Sequence, residues 1–320
     1  MRGLRYKWID REIGRLDPET RYHEIVKLVA LFRLNEFLLN IGYVVNFMDV
    51  TMPTHGGDAL IFGGKVVHRP QQRFEDSAYF LWTWYLYPPD SEPVKRSMEL
   101  LNRIHGAVAK GLPGAFSHNE DYVQGMCLLA VLPHRLQRLC GLPGYPERLQ
   151  VAYYNWARAL AEHVGVEGGD RVKDFPASFR EMVDFADEYD ARQWPRTGNG
   201  HEASEAFVRQ FCERWFPRPF RGIGRTLMLT VIPENMRRVQ QLEDPHPLGE
   251  ALVKLGMRAM FTLQRLMPDP LVPVYRRRPG RLDSPTMRAL KESGGRLPEK
   301  PPRRRAATSR PGGHAGAAEG

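Results

Sequence analysis

Between residues 20 and 40, apolar side chains recur at Ile25, Leu28, Val29, Phe32, Phe37 and Leu38, close to a 3.6-residue helical period, with Asp17-Pro18-Glu19 as a start signal. Residues 51–70 contain Gly56-Gly57 and Gly63-Gly64 and read as turn and loop with at most a short helix. A helix is predicted over about 74–86, stopped by Pro88-Pro89. Asp90-Ser91-Glu92-Pro93 then opens another, with Pro near the first turn and acids at the positive end of the helix dipole. That helix should carry His105 and stop at Gly111 to Gly114. Asn119-Glu120-Asp121 is placed to cap the next, through Tyr122, Met126, Leu129 and Leu132 toward Cys140-Gly141. Segments at about 146–164, 177–190, 202–216, 223–240 and 247–266 are also helix-like, separated by Pro and Gly. With no alternating β-branched run and no fixed-period repeat, the expected fold is all-α, a single globular multi-helix domain.

Composition changes this picture mainly at the end of the chain. Of 320 residues, 42% are apolar, enough for a sizeable core without metals or disulfides. The net charge of +9 suggests a polyanion partner until it is located: residues 276–320 hold 12 Lys and Arg against four Asp and Glu. Residues 1–275 are left with 34 basic and 33 acidic groups, so no specific nucleic-acid partner is expected. We therefore divide the chain into a helical body, 1–278, and a basic, Pro/Gly/Arg-rich disordered tail, 279–320. Cys127, Cys140 and Cys212 form no CxxC pair and read as buried thiols in a reducing compartment. Met1 to Lys7 is charged with no apolar segment behind it, and the longest apolar stretch, 37–48, is broken by Asn40, Gly42 and Asn46. A cytoplasmic protein is expected.

Candidate chemistry centres on His105, within Asn102-Arg103-Ile104-His105-Gly106. A lone imidazole on an apolar helical face is either a packed core group or a metal ligand, and spacing alone favours the core. His23, His118, His134 and His163 have no zinc spacing such as HExxH and read as surface or core histidines. Gly222-Ile223-Gly224 lacks the third glycine and the strand of a phosphate loop. No GxSxG, Walker A or paired-carboxylate motif supports a hydrolase or kinase.

Several fragments in order carry more information. Asp17-Pro18-Glu19, Arg21-Tyr22-His23-Glu24-Ile25, Arg69-Pro70-Gln71-Gln72-Arg73-Phe74-Glu75-Asp76-Ser77, Ile104-His105-Gly106-Ala107-Val108, Asn119-Glu120-Asp121-Tyr122 and Tyr153-Tyr154-Asn155-Trp156 follow one another across residues 17–270. In this order the chain resembles the MpaB / rubber oxygenase (latex clearing protein) family, in its bacterial MpaB-like branch. The resemblance implies haem b as cofactor, with His105 as proximal iron ligand, Arg73 as a cation on the oxygen-binding side, and Ser77 where the family usually has Thr. Arg73 and Ser77, four residues apart, would share one helical face. Asp76 stands where latex clearing proteins carry a lysine, and an acid there is usual in the MpaB-like branch. Its other reading is a helix N-terminal acid held by the dipole. The implied function is a haem-dependent oxygenase activating dioxygen toward an apolar substrate, an isoprenoid or other alkene, with C=C cleavage. A haem- or ligand-binding sensor or carrier is the alternative. The aromatic run Tyr79 to Tyr85 and the group Tyr153, Tyr154 and Trp156 read as core, with some members bordering a cavity. A lipidic substrate would also bring peripheral membrane contact.

Overall fold

A computed structural model of the chain describes residues 6–274. Among the described residues the structure is helical throughout, with one isolated bridge between Gly165 and Arg171. The all-α expectation holds. The tail expected over 279–320 lies outside the described residues.

Helix α1 spans Trp8–Arg15, α2 Tyr22–Arg33 and α3 Glu36–Val50. The apolar period over 20–40 therefore covers two helices, set at 115° to one another. The break is made at Asn35, whose side chain accepts from the Leu38 amide at 2.9 Å and caps α3. Where a loop was expected, α4 (Thr54–Gly63) and α5 (Lys65–His68) form. The glycines that suggested turns serve close packing instead. A Cβ on Gly56 would lie 1.8 Å from the Val50 carbonyl oxygen, and one on Gly57 would lie 3.0 Å from the Gly200 amide nitrogen. Only Gly64, at φ +66°, makes the turn between α4 and α5.

Helix α6 runs Pro70–Leu86, a turn earlier than predicted, because a proline in the first turn has no amide hydrogen that would go unpaired. Helix α7 spans Glu92–Ala109 and α8 Asn119–Leu139. Asn119 does not cap α8. Its amide group donates to the Lys173 carbonyl at 2.9 Å and accepts from the Lys173 amide at 2.8 Å, tying the start of α8 to a distant loop. Then follow α9 (Glu147–Ala161), α10 (Phe179–Ala191), α11 (Gly198–Trp215), α12 (Arg221–Val231), α13 (Glu234–Val239) and α14 (Pro247–Leu266). The single helix predicted over 223–240 is two, because Pro233 holds the preceding Ile232 extended.

Helix α8 is the axis of the body. Its residues Met126 to Leu132 are all buried, so it is enclosed on every side, and it packs against α3, α9 and α10. Helix α2 covers α9, while α11 packs on α3 and α4. A polar group joins α3, α8 and α10. Gln124 Nε2 donates to Asp49 Oδ1 at 3.1 Å and Asp190 Oδ1 at 3.3 Å, and Arg135 Nη1 donates to Asp190 Oδ2 at 2.8 Å. Burial, and then the charge of Asp190, push the Asp49 carboxyl well above the usual range. The three cysteines are buried free thiols.

The aromatic core centres on Trp156, which is fully buried and stacks on Tyr85 at 5.0 Å, while its indole donates to the Trp84 carbonyl at 3.0 Å. Removing it leaves both a cavity and an unpaired carbonyl. Trp156→Ala is expected to cost about 3–5 kcal/mol in urea unfolding; a change below about 1 kcal/mol would show that the site collapses around the loss.

Candidate functional site

Helices α6 and α7 form a hairpin closed by residues 87–91. Trp84 Nε1 donates to Ser97 Oγ at 2.9 Å, and Ser97 Oγ donates in turn to the Val94 carbonyl at 2.7 Å, which sets the register of the pair. Ser77 lies seven residues before Trp84 and His105 eight after Ser97. At 1.5 Å per residue both stand roughly 10–12 Å from the pin. The hairpin thus brings the two predicted motifs, 28 residues apart in sequence, to one level.

On α6, Arg73 Nη1 donates to Ser77 Oγ at 2.5 Å, and Ser77 Oγ donates back to the Arg73 carbonyl at 3.0 Å. The predicted i, i+4 convergence is therefore present, with both groups bonded to each other. The guanidinium also lies over the Phe47 ring at 4.3 Å, held from the side of α3. Asp76 is the seventh residue of α6, too far along for a first-turn dipole role. It is buried and accepts from Lys65 Nζ of α5 at 2.9 Å. Helix α5 thus brings a lysine to the acid that stands where the resembled oxygenases carry one.

On α7, the His105 ring stacks on Phe116 at 4.5 Å and lies 5.9 Å from Tyr122. Its Nδ1 is buried without a hydrogen-bond partner. Burial, and then the positive charge of Arg73, push its pKa down to about 4, so the imidazole is neutral at physiological pH. The Tyr43 hydroxyl is a second buried, partnerless atom within electrostatic reach of Arg73 and Asp76. Partnerless buried polar atoms are uncommon, and two around one guanidinium are what a bound group with its own polar atoms would satisfy. A neutral imidazole with an unspent nitrogen, packed between aromatic rings, also fits the axial ligand of a haem iron.

The connection between α7 and α8 is held as firmly as the helices. Glu167 accepts from the Gly114 amide at 2.9 Å and the Phe116 amide at 3.0 Å, and its own amide donates to the Phe116 carbonyl at 2.9 Å. Asn102, one turn before His105, donates to the His163 carbonyl at 3.1 Å and accepts from the Gly165 amide at 3.0 Å.

Comparison with family models gives a match over residues 35–265 to the catalytic domain described as ER-bound oxygenase mpaB/B'/Rubber oxygenase. The chain belongs to the MpaB/rubber oxygenase family. No curated protein matches it. The matched span starts at the cap of α3 and reaches the last turn of α14, so every residue of the α6–α7 site lies in the family's catalytic domain.

Two cavities lie in the body of this oxygenase-family chain, and neither has Arg73, Asp76, Ser77 or His105 on its border. One of about 700 Å³ is bordered by Leu39, Gly42, Leu81, Tyr85, Leu129, Leu132, Tyr153 and Phe261, among others, and begins one turn along α6 from Ser77. A shallower apolar cleft of about 480 Å³ lies between α3, α12 and α14. Leu38 borders both. Tyr85 and Tyr153 border the larger cavity, whereas Phe80, Trp82, Trp84 and Trp156 are core.

Lys65, Tyr43, Phe116, Tyr122 and Glu167 were absent from the expected site. Each reaches it through tertiary contact.

A depressed histidine pKa couples stability to pH. Unfolded His105 takes a proton near pH 6.5 and the folded protein only near pH 4, so its contribution is full above about 6.5 and lost as pH falls through that window. His23 is depressed to about 4 as well and adds to the same trend. His105→Phe should therefore lose stability less steeply than wild type between about pH 6.5 and pH 4 in urea unfolding; equal slopes would mean that the buried imidazole does not resist protonation.

Proposed function

We propose that the protein is a haem b dependent oxygenase that activates dioxygen toward an apolar substrate, an isoprenoid or other alkene, cleaving a C=C bond. What carries this reading is the buried, partnerless Nδ1 of a neutral His105 within electrostatic reach of Arg73. His105 would hold the haem iron, and Arg73 and Ser77 would be the polar groups offered to dioxygen. Bound haem supplies the redox chemistry with dioxygen. The protein's share is positioning and charge. Arg73 offers charge-assisted hydrogen bonds to an anionic oxygen, and Ser77, bonded to it at both ends, sets the direction in which the guanidinium points. Phe116, fixed by Glu167, holds the imidazole plane. The Lys65–Asp76 pair keeps the acid beside Ser77 compensated.

The apolar substrate is supported by the 700 Å³ cavity, whose border is mainly aliphatic and aromatic, with Asp10, Arg33, Arg148 and Arg265 among its polar members. Peripheral membrane contact is supported by α14. That helix buries only Met257 and Phe261 and presents Leu248, Leu252, Leu255, Leu263 and Leu266 to solvent, each more than half exposed. Among the described residues no single helix is long and apolar enough to cross a membrane. An outward apolar face of this kind, followed in sequence by the net +8 of residues 276–320, suits the surface of an anionic bilayer.

Haem-supplied wild type should show a Soret band that is lost or strongly shifted in His105→Ala, and it should take up oxygen with an alkene. Arg73→Ala should keep the band and lose oxygen uptake on the order of a hundredfold. A colourless wild type would overturn the proposal, and a Soret band without oxygen uptake would make the protein a carrier or sensor. For the membrane contact, sedimentation with phosphatidylglycerol vesicles should be salt-sensitive and should fall at least tenfold when Leu252 and Leu255 are both changed to Glu. Undiminished sedimentation of that double variant would remove α14 from the contact.

A further inference from the structure

A cluster of metal-ligating side chains lies outside the α6–α7 site, on the far side of the connection that carries Phe116. His55 comes from the first turn of α4, His118 is the residue before α8, and Asp121 is in the first turn of α8. One donor atom from each lies within 4.8 Å of the others. His55 Nε2 is 2.5 Å from Asp121 Oδ2, and the two imidazoles stack at 4.1 Å with 9° between their planes. The other carboxylate oxygen, Asp121 Oδ1, accepts from the Tyr189 hydroxyl of α10 at 2.7 Å.

An ion pair between His55 and Asp121 would be complete without His118. Yet His118 lies directly on the pair, although it stands at the cap position of α8 and makes no capping bond with its side chain. Its ring makes a long hydrogen bond with Ser117 Oγ, at 3.5 Å. Two imidazoles and one carboxylate, with open positions toward solvent, are the donor set of borderline divalent ions of the zinc type; calcium and magnesium prefer all-oxygen sets. Parallel rings do not aim both lone pairs at one point, so His118 must turn. It is exposed and its ring is not packed in the core, so that rotation costs little. Tyr189 fixes the carboxylate as an outer-shell partner would.

We propose that His55, His118 and Asp121 bind one divalent transition-metal ion of the zinc class, clamping the start of α4 to the start of α8. The clamp lies next to Phe116 and Tyr122, the two rings that pack on His105, so the ion stiffens the wall behind the imidazole. This site is independent of the haem proposal.

The test is calorimetric titration of the full chain with zinc chloride, repeated with cobalt(II) to read a visible ligand-field band. Wild type should bind one equivalent and melt at a higher temperature when saturated. His118→Ala and Asp121→Asn should weaken binding at least tenfold. Tyr189→Phe, which keeps all three donors, should weaken it on the order of tenfold to a hundredfold. His105→Ala should bind zinc as wild type does, which separates this site from the iron ligand. Because His118 is exposed, its variant tests the site even where Asp121→Asn fails to fold. Absence of stoichiometric zinc binding to wild type, or equal binding by His118→Ala, would overturn the proposal.

Discussion

The hydrogen bond from the Trp84 indole to Ser97 is the constraint on which the site depends. Trp84 is held at both ends, because its carbonyl accepts the indole N–H of Trp156 from α9. One residue thus ties the α6–α7 hairpin to the aromatic core and fixes how far each helix has advanced past the other. A slip of one residue would rotate His105 by about 100° around α7 and carry it away from Phe116. Buried indole N–H groups require a partner, so a slip would also leave the Trp84 donor unpaired, at a cost of about 1–3 kcal/mol. The far end of the hairpin is secured separately, by Asn102 against the turn after α9 and by Glu167 around Phe116. Between these fastenings the site has little freedom to shift.

Inside that frame the charges are only partly matched. Arg73 is shared between Ser77 and the Phe47 ring, and Asp76 is matched by Lys65, but His105 Nδ1 and the Tyr43 hydroxyl have no partner. The buried Asp49, Gln124, Asp190 and Arg135 group is joined by several hydrogen bonds, yet Gln124 Oε1 and Arg135 Nε in it also lack a partner. What sets His105 and Tyr43 apart is that both lie within electrostatic reach of the Arg73 guanidinium.

Much of this was legible in the sequence. The all-α class followed from the apolar period, the end of α6 and the start of α7 from Pro88-Pro89 and the acidic opening after it, and the shared face of Arg73 and Ser77 from a spacing of four. What could not be read was whatever depends on close approach or on distant partners. Gly56 and Gly57 looked like turn residues because sequence does not show that Val50 and Gly200 backbones press against them. Lys65 is 11 residues from Asp76 and Glu167 is 51 from Phe116, beyond any local motif. His118 read as an isolated histidine because His55 meets it only through the packing of α4 near the start of α8. Asn119 failed as a cap for the same reason: Lys173, far along the chain, offered its amide group two better-placed partners.

Helix α14 has a consequence for what the cavities can hold. It borders both of them, yet only two of its 20 residues are buried, while hydrogen bonds from Tyr6 and Lys7 fasten the last turn. An element with so little buried apolar area opens at a small fraction of the global unfolding free energy. Under the proposed function, the room offered to an apolar molecule would then depend on that opening as well as on the closed cavity.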